Sequence, residues 1–227
     1  MSAQLTGTDG APGQAATGSP PAAPTRSGIQ CPAVNGGSTH SITAACGRRR
    51  PATAAAVRAV ALTQGDTVVV SGAAGGVGSI TVQLARRAGA TVIGVAGPAN
   101  HEWLAGHGVI PVSYGDGVAG RIRQAARQVD AFIDTFGDGY VELALELGVA
   151  PSRVDTIANF DAVQRYGVKA EGNAAGASAS VLAELAGLIA AGQLEVPIAA
   201  VFPLAEVQAA YRRLATGHIR GKIVLVP

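Results

Sequence analysis

The stretch VVVSGAAGGVGSITVQLARRAGATVIGVA, residues 68–96, decides the fold that the sequence predicts. Its valine run, from Thr67 to Ser71, is typical of a strand that is buried on both faces. A helix that ends at Gly89 follows, and small or apolar side chains recur along one side of it: Val77, Ile80, Thr81, Leu84 and Ala88. Thr91 to Ala96 forms a second strand. Two strands joined through a helix predict a parallel βαβ unit.

The turn between the first strand and the helix is rich in glycine. It reads Gly72-Ala73-Ala74-Gly75-Gly76-Val77-Gly78 and matches the dinucleotide fingerprint GxGxxG, with Ala73 at the first glycine position. Glycine permits a positive φ, which we expect at Gly75, and lets a ligand approach the backbone. Free N–H groups at the helix N-terminus favour a pyrophosphate. A plain tight turn is the alternative, but the strand before the turn and the helix after it favour a nucleotide site.

Two competing nucleotide motifs do not fit the sequence. A P-loop requires a lysine followed by serine or threonine after its last glycine, whereas Gly78 is followed by Ser79 and Ile80. A short-chain dehydrogenase requires a Tyr-x-x-x-Lys pair, and Tyr166 and Lys169 are one residue too close to form one. The dinucleotide interpretation is the one that remains.

The alternation of strands and helices continues to the end of the chain. Further strands are predicted at Val109–Tyr114, Val129–Thr135, Val154–Ala158, Gly167–Ala170 and Lys222–Val226. Further helices are predicted near residues 102–105, 118–122, 141–147, 181–189 and 204–214. Strands that alternate with helices need crossover connections. The predicted fold class is therefore α/β, with a doubly wound parallel sheet of the Rossmann type.

The first fifty residues differ in composition from the rest. They consist mainly of Ala, Gly, Pro, Ser and Thr, and their few large apolar side chains follow no helical or strand period. Such a segment buries too little apolar surface to offset the entropy lost on ordering. We expect residues 1–50 to be disordered and the dinucleotide-binding domain to begin at residue 51.

Composition limits the classes of partner. A net charge of +2 at pH 7 is too small to favour nucleic acid. The sequence has no apolar run of membrane-spanning length and no signal peptide, so we expect a cytoplasmic protein without a membrane partner. Cys31 and Cys46 form no CxxC pair, and His40 completes no ligand set of the usual spacing, so no metal site is expected.

From about Ala52 to Pro227 the chain resembles the medium-chain dehydrogenase/reductase superfamily, in its zinc-free, NADPH-dependent quinone oxidoreductase branch. The resemblance is carried by GDTVVVSGAAGGVGSITVQLARRAGATVIGVA, VDAFIDTFG and VFPLAEVQAAYRRLATGHIRGKIVLVP. It implies hydride transfer between NADPH and a quinone or conjugated carbonyl. Superfamily members also carry an N-terminal GroES-like domain that forms the substrate cleft. Here residues 1–50 take its place, and residues 196–227 are the return segment that remains of it, so no residue is assigned as catalytic.

The residues after the second strand favour NADPH over NADH. No carboxylate that would bond a ribose 2′-OH follows Ala96 until Glu102. By the resemblance, a lysine after this strand and a tyrosine after the third strand hold the 2′-phosphate; Tyr114 matches the tyrosine, but Ala99 stands at the lysine position. The resemblance also places Phe136 beside the cofactor. The candidate cofactor-binding residues are Ala74, Gly75, Gly76, Val77, Gly78, Asn100, His101, Tyr114, Phe136 and Gly137.

Two other functions stay open at this point. The chain could be a catalytically inactive, NADP-binding truncated paralogue, or a subunit that borrows its substrate domain from a partner chain. A homodimer is also open, because the strand Lys222–Val226 is expected to have an exposed edge that invites self-association.

Overall fold

The computed structural model describes residues 50–171 and 178–227. These residues form seven strands: β1 Thr67–Val70, β2 Thr91–Val95, β3 Ile110–Val112, β4 Ala131–Asp134, β5 Val154–Thr156, β6 Ile198–Pro203 and β7 Lys222–Val226. They also form eight α-helices: α1 Arg50–Ala59, α2 Gly78–Arg87, α3 His101–Gly106, α4 Val118–Ala125, α5 Tyr140–Glu146, α6 Phe160–Tyr166, α7 Ala179–Ala190 and α8 Val207–Ala215. None of these helices is both long and apolar enough to cross a membrane.

The first five strands form one parallel sheet in the order β3-β2-β1-β4-β5. The strand order reverses between β1 and β4, so the connections that leave their carboxyl ends run to opposite faces of the sheet and leave a crevice at that edge. The predicted fold class, a doubly wound parallel sheet, is confirmed.

Helices cover both faces of this sheet. Val68 and Val70 of β1 pack in one cluster with Ala56 of α1, Val82 of α2 and Leu104 of α3. Val69, which lies between them in β1, packs in a second cluster with one residue from each of α4, α5 and α6: Ile122, Val141 and Ala162. Successive side chains of a strand point to opposite faces, so a strand covered on both sides must be apolar throughout. This is the reason for the valine run.

Before the return segment, the structure departs from the sequence-based prediction at three elements. Helices α1 and α6 were not predicted. The prediction of a strand at Gly167–Ala170 is wrong. Within that range one residue, Lys169, pairs with β5, in an isolated bridge to Asp155. Gly167 ends α6 with a positive φ of 67°, so the chain enters this region from a tight turn. Disorder was expected for residues 1–50. All of these except Arg50 lie outside the described residues, so this expectation stays a prediction.

The return segment contains a second sheet. Strand β6 pairs in parallel with β7 along its length, with α8 as the connection. The sequence did not predict β6, and the two-stranded sheet places it on one edge of β7 only, so the expectation of an exposed strand edge is not contradicted. The sequence of β6, IAAVFP, conceals the strand because all six residues are apolar, so polar and apolar residues do not alternate along it, and none of them is buried.

Asp155 is a fully buried carboxylate in β5. Burial raises the pKa of this carboxyl to about 6, although the Glu171 N–H that donates to Oδ1 opposes the rise. Among the described residues, the other oxygen, Oδ2, has no hydrogen-bond partner. A folded-state pKa above the unfolded value of 3.8 means that the native state binds more protons between those two values. The contribution of Asp155 to stability is therefore lost as the pH rises from about 4 to 6.

We expect Asp155→Asn to raise the free energy of unfolding at pH 7 by about 1–3 kcal/mol. The amide oxygen can still accept from the Glu171 N–H, and the variant no longer buries an ionised group at neutral pH. Urea unfolding followed by circular dichroism at pH 5, 6 and 7 measures the change. A variant with the same stability and the same pH profile as the parent chain contradicts the assignment.

Candidate functional site

The glycine loop leaves the carboxyl end of β1 in a sharp turn. Gly72 has a positive φ of 57°, and its carbonyl oxygen accepts from the Gly75 N–H at 2.9 Å. The next residue, Ala73, donates its N–H to the carbonyl of Val95 in β2 at 3.0 Å. The prediction of a positive φ at Gly75 is wrong. The loop glycine with a positive φ is Gly72, three residues earlier, and the chain reverses direction there.

Two other glycines of the loop are needed for space rather than for φ. A Cβ on Gly78 would lie 2.1 Å from the carbonyl oxygen of Gly72 and 2.8 Å from the Cα of Ala73. Helix α2 can therefore begin directly against the loop only with glycine at this position. A Cβ on Gly76 would lie 3.2 Å from the carbonyl oxygen of Gly221, so the lack of a side chain here lets the return segment pack against the loop.

The loop presents backbone donors at the start of α2. Among the described residues, the N–H groups of Gly76 and Val77 donate to no carbonyl or side chain. A Cβ on Gly75 would have one neighbour within 4 Å, the carbonyl oxygen of Gly72 at 3.2 Å, so this glycine keeps its side of the loop open. Orphan N–H groups beside an open glycine form the type of site that accepts a phosphate anion, and the loop fits a pyrophosphate.

A cavity of about 960 Å³ lies at the carboxyl edge of the sheet. The glycine loop, the residues after β2 and β3, the loop before α5 and the loop before β7 all contribute to its wall. The candidate residues from the sequence that line it are Ala74, Gly75, Asn100, Tyr114 and Phe136. The structure thus brings together residues from four separate segments that the sequence had marked.

The other five candidates do not line the cavity. Gly76, Val77 and Gly78 lie at the end of the glycine loop and the start of α2. His101 lies behind the wall, where its Nε2 is 3.3 Å from the carbonyl oxygen of Ala96. Gly137 donates its N–H to the Asp134 carboxylate at 2.9 Å.

Asp134 fixes the end of β4 beside the glycine loop. Its Oδ1 accepts from the Ser71 hydroxyl at 2.6 Å and from the N–H groups of Phe136 and Gly137, and its Oδ2 accepts from the Thr156 hydroxyl at 2.7 Å. The side chain is fully buried, and these four donors satisfy it. Asp134 therefore has a structural role, which is to hold the end of β4 against β1 and β5.

Two aromatic rings form one wall of the cavity. Phe136 and Tyr140 meet edge to face, with ring centroids 5.6 Å apart and planes at 78°. Phe136 is 63% exposed, which is high for such a side chain and suits a surface that a flat ring would cover. Burial raises the pKa of the Tyr140 hydroxyl, and the nearby Asp134 charge adds to the rise, so this hydroxyl is protonated at neutral pH.

The rim of the cavity contains a residue that sequence reasoning missed. His218, in the loop before β7, places its Nε2 3.0 Å from the Tyr114 hydroxyl. The two residues lie 104 positions apart. No sequence motif marked His218, and only the fold brings it to the cavity.

The charges around the cavity are unevenly placed. The segment after β2, from Val95 to Asn100, contributes no carboxylate to the wall. The acidic side chains of the wall all come from α5 and the loop before it: Asp138, Glu142 and Glu146. Among the described residues, no group of three His, Cys, Asp or Glu side chains could hold a metal ion.

Comparison with known proteins identifies the family. A family model described as zinc-binding dehydrogenase matches residues 105–225, which is more than half of the chain. The chain belongs to the zinc-binding dehydrogenase family. This places it in the medium-chain dehydrogenase/reductase superfamily and confirms the resemblance inferred from its sequence.

Individual relatives match most of this chain but only part of their own length. The erythronolide synthase of Saccharopolyspora erythraea is 34% identical over 178 residues, which are 72% of this chain and 5% of the synthase. The acryloyl-coenzyme A reductase of Metallosphaera sedula is 27% identical over 179 residues, 74% of this chain and 53% of the reductase. The structure of a quinone oxidoreductase from Coxiella burnetii is similar with a TM-score of 0.67 and 26% identity, covering 78% of this chain and 57% of that one.

Proposed function

We propose that the chain is the cofactor-binding part of an NADPH-dependent oxidoreductase that reduces quinones or conjugated carbonyls. One observation carries the proposal: the cavity joins the glycine loop to an end of β2 that lacks the carboxylate expected of an NAD site. The names of two relatives agree with the substrate class, since one is a quinone oxidoreductase and the other reduces an acryloyl thioester.

Each part of the site then has a role in holding the dinucleotide. The N–H groups of Gly76 and Val77 bind the pyrophosphate at the start of α2. Phe136 and Tyr140 provide an apolar surface for a flat ring. Tyr114, whose ring lies against Gly97 after β2, is proposed to contact the ribose 2′-substituent.

When bound, the nicotinamide dinucleotide supplies or accepts the hydride of the reaction. The residues of this chain bind and orient it, and orientation alone can contribute several kcal/mol to lowering a barrier. No described residue is assigned as a proton donor to the substrate. Cofactor binding is therefore the step that this chain itself is proposed to perform.

We expect the chain to bind NADPH about tenfold more tightly than NADH, because no carboxylate after β2 repels a 2′-phosphate and Tyr114 can donate to it. Calorimetric titration of both cofactors measures the ratio. Equal affinities, or tighter binding of NADH, would overturn the NADPH assignment and leave dinucleotide binding intact.

Turnover separates the oxidoreductase from the binding-only alternative. A fused GroES-like domain would close the substrate cleft, so we expect quinone-dependent NADPH oxidation by the 227-residue chain to be about a thousandfold slower than by a chimera with such a domain before residue 52. The rate of absorbance loss at 340 nm, a standard measure of NADPH, gives both values. A chimera that binds NADPH but shows no quinone or enone reduction would favour the catalytically inactive paralogue.

A further inference from the structure

We infer that His218 is the residue that recognises the 2′-phosphate of the cofactor in this chain, together with Tyr114. The inference rests on the proposed function, since it names the specificity-determining group of that site. The sequence pattern of the superfamily put a lysine at the position of Ala99, and this chain has no charged side chain there. The structure supplies a basic side chain from a different segment.

The charge of the cavity wall singles out His218. Among the described residues that line the cavity, His218 is the only one with a basic side chain. The acidic side chains of the wall are Asp138, Glu142 and Glu146, all from the region of α5. A dianionic phosphate would be repelled from those carboxylates, so the rim that carries His218 is the favourable place for it.

The position of Tyr114 ties this rim to the end of β2. A Cβ built on Gly97, two residues after β2, would lie 3.3 Å from the Cε1 atom and 3.5 Å from the hydroxyl oxygen of Tyr114. The tyrosine ring therefore lies directly against the segment that follows β2. This is the segment beside which a ribose 2′-substituent is held in dinucleotide-binding folds.

Tyr114 and His218 form a pair of donors at one point. The Tyr114 hydroxyl oxygen and the His218 Nε2 are 3.0 Å apart, and the ring centroids are 6.3 Å apart. Both side chains are solvent-exposed, so a ligand can reach them. A phosphate oxygen accepts from a tyrosine hydroxyl and from an imidazole N–H alike, so the anion can take the place of the contact between the two.

The backbone on each side holds the pair in place. Arg121 donates to the carbonyl groups of four consecutive residues, Ser113 to Asp116, at 2.8–3.1 Å, and so fixes the loop that carries Tyr114. On the other side, Gly217 and His218 have consecutive positive φ values of 66° and 56°. A non-glycine residue in this conformation carries backbone strain, and such strain is concentrated at functional positions.

The strained conformation makes His218→Gly an unusually clean test. Glycine adopts a φ of 56° without strain, so the variant is expected to melt at the same temperature as the parent chain or higher. A residue with only a structural role would then be replaced at no cost to binding. A residue that binds the 2′-phosphate would be lost from the site.

The ligands that test the inference are adenosine 2′,5′-bisphosphate and adenosine 5′-monophosphate, which differ only in the 2′-phosphate. For the full chain we expect the bisphosphate to bind about tenfold more tightly, the effect of one charge-assisted hydrogen bond at an exposed site. His218→Gly should reduce that ratio to about two or three, the part that the Tyr114 hydroxyl contributes alone, while the monophosphate affinity stays within about twofold. His218→Arg should keep or raise the ratio, because its guanidinium also donates to phosphate.

Arg220→Ala is the matched control, because it removes a cation two residues away whose side chain does not line the cavity. This variant should keep the parent ratio. Calorimetric titration of both ligands into all four proteins gives the result. An unchanged ratio in His218→Gly, or an equal loss in Arg220→Ala, would overturn the role of His218 without affecting dinucleotide binding. If the parent chain binds neither nucleotide, the proposed function itself fails, and this inference fails with it.

Discussion

Gly78→Ala is expected to lower the free energy of unfolding by about 3 kcal/mol or more, the upper range for forced overpacking. The added Cβ would lie 2.1 Å from the carbonyl oxygen of Gly72 and 2.8 Å from the Cα of Ala73. Both neighbours are backbone atoms, so no side-chain rotation relieves the clash. Either the loop or α2 has to move, and α2 is held by the buried residues Val82 and Ala85.

Gly120→Ala is the matched control for this variant. Gly120 lies within α4, and a Cβ there would have no neighbour within 4 Å. Alanine in a helix interior is favoured over glycine by about 0.5–1 kcal/mol, so the control should be slightly more stable than the parent chain. Urea unfolding followed by circular dichroism measures both variants. Equal stability of the two would show that the loop does not pack against α2 as described.

Gly75→Val is expected to weaken NADPH binding more than a hundredfold while leaving the fold intact. Gly75 does not have a positive φ, and a Cβ there would approach one atom, the carbonyl oxygen of Gly72 at 3.2 Å. A side chain here requires the Gly72 carbonyl to move by a few tenths of an ångström, which is a much smaller clash than the one at Gly78. The branched side chain would fill the part of the cavity beside the N–H groups of Gly76 and Val77, where a pyrophosphate is proposed to bind.

Gly75→Ala tests whether the loss of NADPH affinity depends on side-chain size, because its single methyl group fills less of the cavity than the valine side chain. We expect an affinity between those of the parent chain and Gly75→Val, with all three proteins melting within a few degrees of one another. Calorimetry gives the affinities and circular dichroism gives the melting temperatures. A folded Gly75→Val that binds NADPH with the parent affinity would move the phosphate site to another part of the molecule.

The central sheet was predictable because each of its strands carries its own signal. The run Val68–Val70 is apolar on both faces and is followed by a glycine turn and a periodic helix, so local pattern and tertiary packing agree. Strand β6 has no such signal, because it is not buried on either face. Its existence depends on pairing with β7, which is a contact between distant segments.

Part of the site was predictable for the same reason. The glycine loop and Tyr114 follow directly from strand ends, and the ends of parallel strands meet at one edge of a sheet. His218 could not be predicted, because its contact with Tyr114 joins residues 104 positions apart. The distinct reasons for Gly72, Gly76 and Gly78 also needed the structure, since a motif marks glycines without saying which neighbour each one admits.

The central claim is that the glycine loop and the end of β2 hold a nicotinamide dinucleotide. The most direct measurement is an amide proton–nitrogen NMR titration of the 22.5 kDa chain with NADPH. We expect the largest shifts at Gly75, Gly76 and Val77 and at the rim residues Tyr114 and His218, with the exposed face of α8 unchanged. Saturable shifts confined to other residues, or no shifts at millimolar NADPH, would contradict the claim.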